Sequence, residues 1–404
     1  MSHYLKECLC CQGKNLTNIL SLNSQPLANS YVPVGEKLEV YPLAVNICDN
    51  CYHMQLSFIV DPDLMFKNYL YVSGTTQTLR DYFDWFARKA ASENPSATTV
   101  LDIACNDGSQ LNSFKNISYE TYGIDPAENL LERSILNGHK VVCDYFTNDS
   151  VEKLKSKFSI DSIDIITAQN VFAHNADPYG FLLNCKKLMH DDSSLYIQTS
   201  QATMVENNQF DTIYHEHVSF FNLNSMKTLV ERAGLYLNHV EITSVHGNSY
   251  VFKIGKKSNP DSSVLDRYEY ENAKGLLSLE TYKKYSKFCK DICKDLKNEI
   301  KKYREEGYVV AGYGAAAKGV VLINFAKIHL DFVVDDNALK HNLCMPGTKT
   351  LIYSPLHLKE FSDKKMVLLP LAWNFFEEIK RKVSVIVGDD KVVFLKYFPK
   401  VEAC

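Results

Sequence analysis

Residues 100–111 read Val-Leu-Asp-Ile-Ala-Cys-Asn-Asp-Gly-Ser-Gln-Leu, an apolar run that stops at a polar, glycine-containing turn and restarts as a helix. A buried strand that feeds straight into a helix constrains the fold more than any other feature of the chain. Further apolar runs at 121–124, 141–143, 163–167 and 195–198 alternate with helical stretches, the pattern of an α/β doubly wound parallel sheet. Ligands of such sheets bind at the C-terminal ends of the strands. The first turn offers Asp102, Cys105, Asn106 and Gly108, and the glycine lets backbone approach a ligand closely. Asp125 ends the second run, where a carboxylate reaches both hydroxyls of a ribose. The turn lacks the Gly-x-Gly-x-x-Gly spacing that a pyrophosphate needs, so S-adenosylmethionine fits better than a dinucleotide. Asp144 and Tyr145 follow the third run and are expected at the adenine, unless they only open a helix. Gln169 and Asn170 close the fourth run beside the sulfonium, and His174, about one helical turn further on, points toward the donor.

Cys8 and Cys11 form one Cys-x-x-Cys pair, and Cys48 and Cys51 form another. Two such pairs supply four thiolates at the corners of a tetrahedron, the closed geometry of structural Zn2+, although Cys10 leaves open which thiols of the first pair ligate. With every position filled by sulfur, the metal has no open site for catalysis and holds the lobe together. A redox pair would need a strand and helix around it, which Gln12-Gly13-Lys14-Asn15 does not provide. Most of the twelve cysteines are scattered singly, which fits a reducing compartment and predicts no structural disulfide.

At 404 residues the chain is expected to hold two or three domains, divided at 1–70, 71–260 and 261–404. A net charge of −4, with both signs mixed along the chain, gives no footprint for a nucleic acid. No apolar run reaches the roughly 18 residues that cross a bilayer, and the N-terminus lacks a signal-peptide core, so a cytoplasmic protein without a membrane partner is expected. Monomer is the default expectation, since no long apolar stripe is left over.

Residues 209–222 set Tyr214, His215, Glu216 and His217 in an apolar frame, a candidate acid/base site. The bland alternative is that the histidines only satisfy backbone groups. From 261 to 306, apolar residues at three-to-four spacing without proline predict one or two long helices with a solvated lysine face. A strand at 308–313 then leads into Gly314-Ala-Ala-Ala-Lys-Gly319, a helix, and a strand that ends at Asp335 and Asp336, which is a Rossmann-like unit. Helix-start amides and Lys318 suit phosphate oxygens better than a nicotinamide cofactor, so a nucleotide diphosphate is expected near Tyr313, Gly314, Lys318 and Asp336. Trp373 and Asn374 line the same cleft, or serve as core and cap residues.

The two Cys-x-x-Cys pairs, the Asn-Asp-Gly turn, Tyr-His-Glu-His, Gly-Tyr-Gly-Ala-Ala-Ala-Lys-Gly, and Val-Asp-Asp-Asn with a later Pro-Gly-Thr occur in this order. Over almost its whole length the chain resembles the three-domain nucleotide-sugar C-methyltransferases that build branched deoxysugars. The resemblance implies a zinc-containing N-terminal lobe ligated by Cys8, Cys11, Cys48 and Cys51, a Rossmann-like S-adenosylmethionine domain, and a second, C-terminal Rossmann-like lobe. It implies a nucleoside-diphosphate 4-keto-6-deoxyhexose as substrate, methylated at C3. His217 matches the family's general base, Glu216 is expected to orient it, and Tyr214 and His174 are expected to donate to the ketone or its enolate. Tyr69 or Tyr71 is expected to reach in from the N-terminal lobe, while His215 is given no role. One departure stands out: the family's His-Gly-Gly-Ser followed by arginine is here His246-Gly247-Asn248-Ser249-Tyr250-Val251, with an apolar residue in the arginine position. Rival readings are methyl transfer to oxygen or nitrogen, a non-catalytic sugar-nucleotide-binding protein, and an oxidoreductase using the C-terminal lobe.

Overall fold

The computed structural model describes residues 1–66, 72–200, 202–245, 247–388 and 392–404. In the N-terminal lobe β1 (Leu16–Gln25), β2 (Tyr41–Cys48) and β3 (Met54–Leu56) pair antiparallel. Ser219–Phe220, from far along the chain, adds a fourth strand beside β3. Alternate residues Leu43, Val45 and Ile47 of β2 turn one face of this sheet into the core. The turn before β1 and the turn after β2 bring Cys8, Cys11, Cys48 and Cys51 together, with all four sulfurs within 4.8 Å of one another. Cys8 Sγ lies 3.5 Å from Cys51 Sγ, and Cys11 Sγ lies 3.5 Å from Cys48 Sγ. Cys10 is fully buried but stands outside this group, which settles the choice left open by the sequence.

In the middle of the chain β4 (Thr99–Ile103), β5 (Glu120–Asp125), β6 (Lys140–Cys143), β7 (Ile163–Gln169) and β8 (Met189–Ser200) form a parallel sheet. Two antiparallel strands, β9 (Tyr236–Thr243) and β10 (Ser249–Gly255), extend it to the order β9-β10-β8-β7-β4-β5-β6. Chain direction around the sheet reverses between β4 and β7, so a crevice opens over the C-terminal ends of those two strands. Helix α1 (Gln77–Glu93) covers one face with Phe83, Phe86 and Ala90. Val251, in the position where arginine was expected, packs in this same apolar layer beside Phe86 and Tyr196. Its side chain belongs to the core under α1, so the departure does not remove a cleft residue.

The charged stretch after residue 261 folds as two helices, α2 (Ser262–Ala273) and α3 (Leu279–Glu305). At 27 residues α3 is about 40 Å long. Its buried stripe of Tyr282, Tyr285, Cys289, Ile292, Cys293, Leu296 and Ile300 recurs every three or four residues. That stripe joins Leu20, Val45 and Met54 of the N-terminal lobe to Val310, Val320 and Leu369 of the C-terminal lobe in one core.

The C-terminal sheet contains parallel β11 (Val309–Tyr313), β12 (Phe332–Val334), β13 (Ile352–Tyr353), β14 (Met366–Pro370) and β15 (Val392–Lys396), closed by antiparallel β16 (Glu402–Ala403). Its order, β13-β12-β11-β14-β15-β16, puts a second reversal between β11 and β14. Gly314, at φ +92°, follows β11, and a Cβ there would lie 2.8 Å from Ala372 Cβ. Only glycine lets the loops on either side of the reversal close on each other. All twelve cysteines are free thiols, and no described helix is long and apolar enough to cross a membrane.

The cysteine geometry makes a prediction that metal analysis checks. Cys10→Ser should retain one zinc per chain, whereas Cys48→Ser should lose the metal and lower the melting temperature of the whole protein, because the N-terminal lobe shares its core with α3.

Candidate active site

At the C-terminal ends of β4 and β7 the backbone is strained, with Ala104 at φ +61°, Asn106 at φ +52° and Asn170 at φ +55°. Strain of this kind is held in place where a site is preorganised. Asp125, buried, accepts from Asn106 N at 2.9 Å through Oδ2 and from Ala127 N at 2.8 Å through Oδ1, which leaves lone pairs on both oxygens. Burial pushes its carboxyl above the usual range, and the two amides oppose that shift. Gln169 donates to Gln110 Oε1 at 2.6 Å and Asn170 donates to Gln198 Oε1 at 3.1 Å. Gln169 Oε1 and Asn170 Oδ1 are buried with no hydrogen-bond partner among the described residues. Buried acceptors left open at a strand switch point fit a ligand that brings ammonium and hydroxyl donors, as S-adenosylmethionine does.

Four expected donor-site residues behave differently. Gly108, at φ +78°, has its Cβ position blocked by Ser134 Oγ at 2.7 Å and His139 Cδ2 at 3.0 Å, so the glycine is required by the turn and its packing rather than by ligand approach. Cys105 turns its sulfur under the loop, 2.6 Å from where a Cβ on Gly123 would lie, into the apolar cluster with Leu111 and Phe114. Asp144 is engaged at both oxygens, by Lys153 Nζ at 2.5 Å and by Tyr145 N at 2.9 Å, while Tyr145 Oη donates to Asp63 of the N-terminal lobe at 3.1 Å.

The 209–217 segment enters beside this crevice. His217 is buried, its Nδ1 donates to the Thr212 carbonyl at 2.7 Å, and its Nε2 accepts from Tyr214 Oη at 3.0 Å. The carbonyl fixes the tautomer, because a neutral imidazole has one N–H to give. The His174 ring lies 5.0 Å from that of His217 and stacks on Phe66 at 5.8 Å. Burial pushes His174 down to about 4, so it is a neutral donor or acceptor at neutral pH. Glu216 was expected behind His217, yet both ring nitrogens have other partners, and Glu216 Oε1 accepts from Asn29 of the N-terminal lobe at 2.6 Å. His215 faces the Tyr41 carbonyl at 3.3 Å and is held neutral by burial, down to about 4. Tyr69, Tyr71 and His246 lie outside the described residues.

The candidates on the C-terminal lobe divide between the two faces of its sheet. Lys318, half-buried at the start of α4 (Ala317–Ala326), places Nζ 4.5 Å from the centre of the Trp373 ring. Gly247 sits against both, its Cβ position 3.6 Å from Trp373 and 4.0 Å from Lys318 Nζ. This is the switch point between β11 and β14, and it faces the 209–217 segment, for Trp373 Nε1 donates to Asp211 Oδ2 at 2.6 Å. Tyr313 and Asp336 bond each other at 3.2 Å on the opposite face, with Lys382 3.0 Å from Asp336. Asn374 is exposed. Three residues outside the expected set complete the junction. Asp211 stood inside the quoted acid/base segment, as a carboxylate in an apolar frame. Asn29 and Tyr31, whose Oη donates to the Ala315 carbonyl at 2.6 Å, had no sequence signal, because their partners lie 187 and 284 residues away.

Three family models match in succession: a zinc binding domain over residues 8–66, a methyltransferase domain over 75–240 and a C-methyltransferase C-terminal domain over 244–399. In this order the three models make the chain similar to three-domain C-methyltransferases. Among its relatives, the C-methyltransferase NovU of Streptomyces niveus is 27% identical over 391 residues, 93% of this chain and 91% of NovU. The ubiquinone biosynthesis O-methyltransferase of Glaesserella parasuis serovar 5 (strain SH0165) is 29% identical over 110 residues, 26% of this chain and 46% of its own. The crystal structure of an S-adenosylmethionine-dependent methyltransferase from Archaeoglobus fulgidus aligns with 44% of this chain and 94% of that one, at 17% identity and a TM-score of 0.36. The methyltransferase thus takes S-adenosylmethionine in its middle domain and zinc at the Cys8, Cys11, Cys48 and Cys51 cluster.

Asp102 gives a pH test of this C-methyltransferase's donor crevice. Burial, with a smaller push from Asp125 and against the Thr167 hydroxyl at 2.6 Å, raises its carboxyl to about 7. The folded state therefore holds a proton that the unfolded chain has released above about pH 4, and stability falls as pH rises from about 4 to about 7. In urea unfolding without ligand, Asp102→Asn should gain on the wild type by on the order of 1–3 kcal/mol between pH 4.5 and 8. An unchanged difference would mean that Asp102 ionises freely.

Proposed function

We propose that the methyltransferase transfers a methyl group to C3 of a nucleoside-diphosphate 4-keto-6-deoxyhexose, a step in making a branched deoxysugar. The observation that carries this reading is the bond between half-buried Tyr214 Oη and buried His217 Nε2 at 3.0 Å, with His217 held in the tautomer a base requires. The C4 ketone acidifies the C3 hydrogen, and a desolvated base with a donor for the enolate oxygen makes its removal fast enough for catalysis. When the Tyr214 hydroxyl turns from Nε2 to the ketone, Nε2 is open to take the C3 proton and the phenol stabilises charge on O4. His174, neutral and 5.0 Å away ring to ring, is placed to give a second hydrogen bond to the same oxygen. S-adenosylmethionine supplies the electrophilic methyl group for the carbon so exposed. Tyr69 or Tyr71, Glu216, and the backbone and side chains at Asp102, Asn106, Asp125, Gln169 and Asn170 complete the proposed site.

Lys318 supports the nucleotide part. Its ammonium meets the Trp373 ring and no hydrogen-bonding group among the described residues, and burial pushes its pKa down against the charge of Asp211. A half-buried cation at a sheet switch point and a helix start is matched by a diphosphate. The same lobe does not favour a dinucleotide. The run Ala315-Ala316-Ala317 and Lys318 depart from the Gly-x-Gly-x-x-Gly turn of a dinucleotide site. That weighs against the oxidoreductase reading.

Mass spectrometry of protein incubated with S-adenosylmethionine and 4-keto-6-deoxy sugars on thymidine, guanosine, cytidine and uridine diphosphates tests the proposal. The expected result is one added methyl on a ring carbon, reduced at least ~100-fold by His217→Ala. Lys318→Ala should raise the KM for the sugar nucleotide about tenfold or more while leaving the KM for the methyl donor. Methyl on oxygen or nitrogen, or no product from any of the four, would overturn the reading.

A further inference from the structure

Asp211 opens the segment that carries Tyr214 and His217, and nothing in the proposed reaction employs it. The side chain is fully buried; Oδ2 accepts from the Trp373 indole, while Oδ1 has no hydrogen-bond partner among the described residues. A buried carboxylate is costly to keep, and the residue could be apolar if its only task were to fill space. Its surroundings come from the C-terminal lobe and the connector: Trp373 and Lys318 from the two loops of the switch point, and Tyr285 and Cys293 from α3. The next residue, Thr212, offers the carbonyl that takes the His217 Nδ1–H at 2.7 Å, and its own hydroxyl donates to Met204 Sδ at 2.9 Å. The thioether is a weak acceptor, so it does little to fix the peptide. The peptide that carries this carbonyl is held by Ile213 N donating to the Phe210 carbonyl at 2.9 Å, and the charge-assisted bond from Trp373 at 2.6 Å fixes the residue just before it.

We propose that Asp211 is a positioning residue: the Trp373–Asp211 hydrogen bond, made from the C-terminal lobe, aims the Thr212 carbonyl at Nδ1 and thereby holds His217 in the tautomer with Nε2 unprotonated. Its consequence for rate rests on His217 acting as the base, but the tautomer itself does not. The base is thereby set from the lobe that carries Lys318 and Trp373, so the position of that lobe and the readiness of the base are linked. If the lobe shifts, the carbonyl turns, the proton is free to move to Nε2, and the imidazole presents a donor where the C3 proton has to be received.

The test is nitrogen-15 NMR of histidine-labelled full-length protein at pH 8, with His217→Ala used to assign the signal. Wild type should show Nδ1 protonated and Nε2 bare. Asp211→Ala and Trp373→Phe should both move population to the Nε2–H form, and Asp211→Asn, which keeps an oxygen for the indole, should restore the wild-type tautomer. In turnover, Asp211→Ala should lower kcat by at least about tenfold, with the KM for S-adenosylmethionine unchanged and no further loss in the His217→Ala background. Trp373→Phe leaves the carboxylate in place, so it decides the matter if Asp211→Ala does not fold. A wild-type tautomer in Trp373→Phe, or a full additional loss from Asp211→Ala on top of His217→Ala, would overturn the proposal. A tautomer shift in a protein that methylates none of the sugars would uphold it and sink the proposed function instead.

Discussion

Asn29 and Tyr31, two residues apart on one short segment of the zinc lobe, bond to different lobes: Asn29 to Glu216 beside the candidate base, and Tyr31 to the Ala315 carbonyl in the turn after β11. Lys340 reaches the same carbonyl at 2.7 Å and lies 5.0 Å over the Tyr31 ring. The cleft exists as a cleft because this segment pins both of its walls. In energy the bonds are the smaller part, about 1.5–3 kcal/mol for the charged one and about 1 for the neutral one. The apolar stripe of α3, burying five large side chains at roughly 1.5–3 kcal/mol each beside Cys289 and Cys293, contributes on the order of 10 kcal/mol and decides that the lobes associate at all. The hydrogen bonds then decide how. Hydrophobic burial tolerates sliding, and a 2.6 Å bond to Glu216 does not.

Burial also sets the protonation states on which carbon chemistry depends. His174 and His215 are driven down to about 4 and stay neutral, Asp102 is driven up to about 7, and Lys318 is lowered while Asp211 is raised. His174 and His215 thus present neutral donors and acceptors next to a methyl donor that carries its own positive charge. Solvent water there would compete for that methyl group and weaken the hydrogen bonds on which an enolate depends. The zinc cluster lies outside this chemistry, and its effect reaches the cleft through the sheet that holds the 29–31 segment in place.

The parts of the fold that are periodic were legible in the sequence. The strand before Gly108, the acid ending β5, the stripe of α3 and the strand before Gly314 all follow from local pattern, and each appears within a residue or two of its expected bounds. Thiol identity was legible in spacing but not in choice, since only the folded chain gathers Cys8, Cys11, Cys48 and Cys51 and leaves Cys10 outside the group. Side-chain direction explains the other differences. Cys105 and Tyr313 lie in site motifs yet turn into the sheet or to its far face, and Glu216 turns to Asn29 rather than to the imidazole next to it. Contacts between residues 187 positions apart leave no local pattern, so Asn29 could be found only in three dimensions.

The central claim is that this methyltransferase is built to make a carbon nucleophile, and solvent hydrogen exchange tests it most directly. A nucleoside-diphosphate 4-keto-6-deoxyhexose accepted in turnover would be incubated with the protein in deuterium oxide without S-adenosylmethionine, and C3 followed by proton NMR. The account predicts that the C3 hydrogen is replaced by deuterium and that His217→Ala abolishes the exchange. Methyl transfer to the sugar without any C3 exchange, or exchange that survives in His217→Ala, would contradict it.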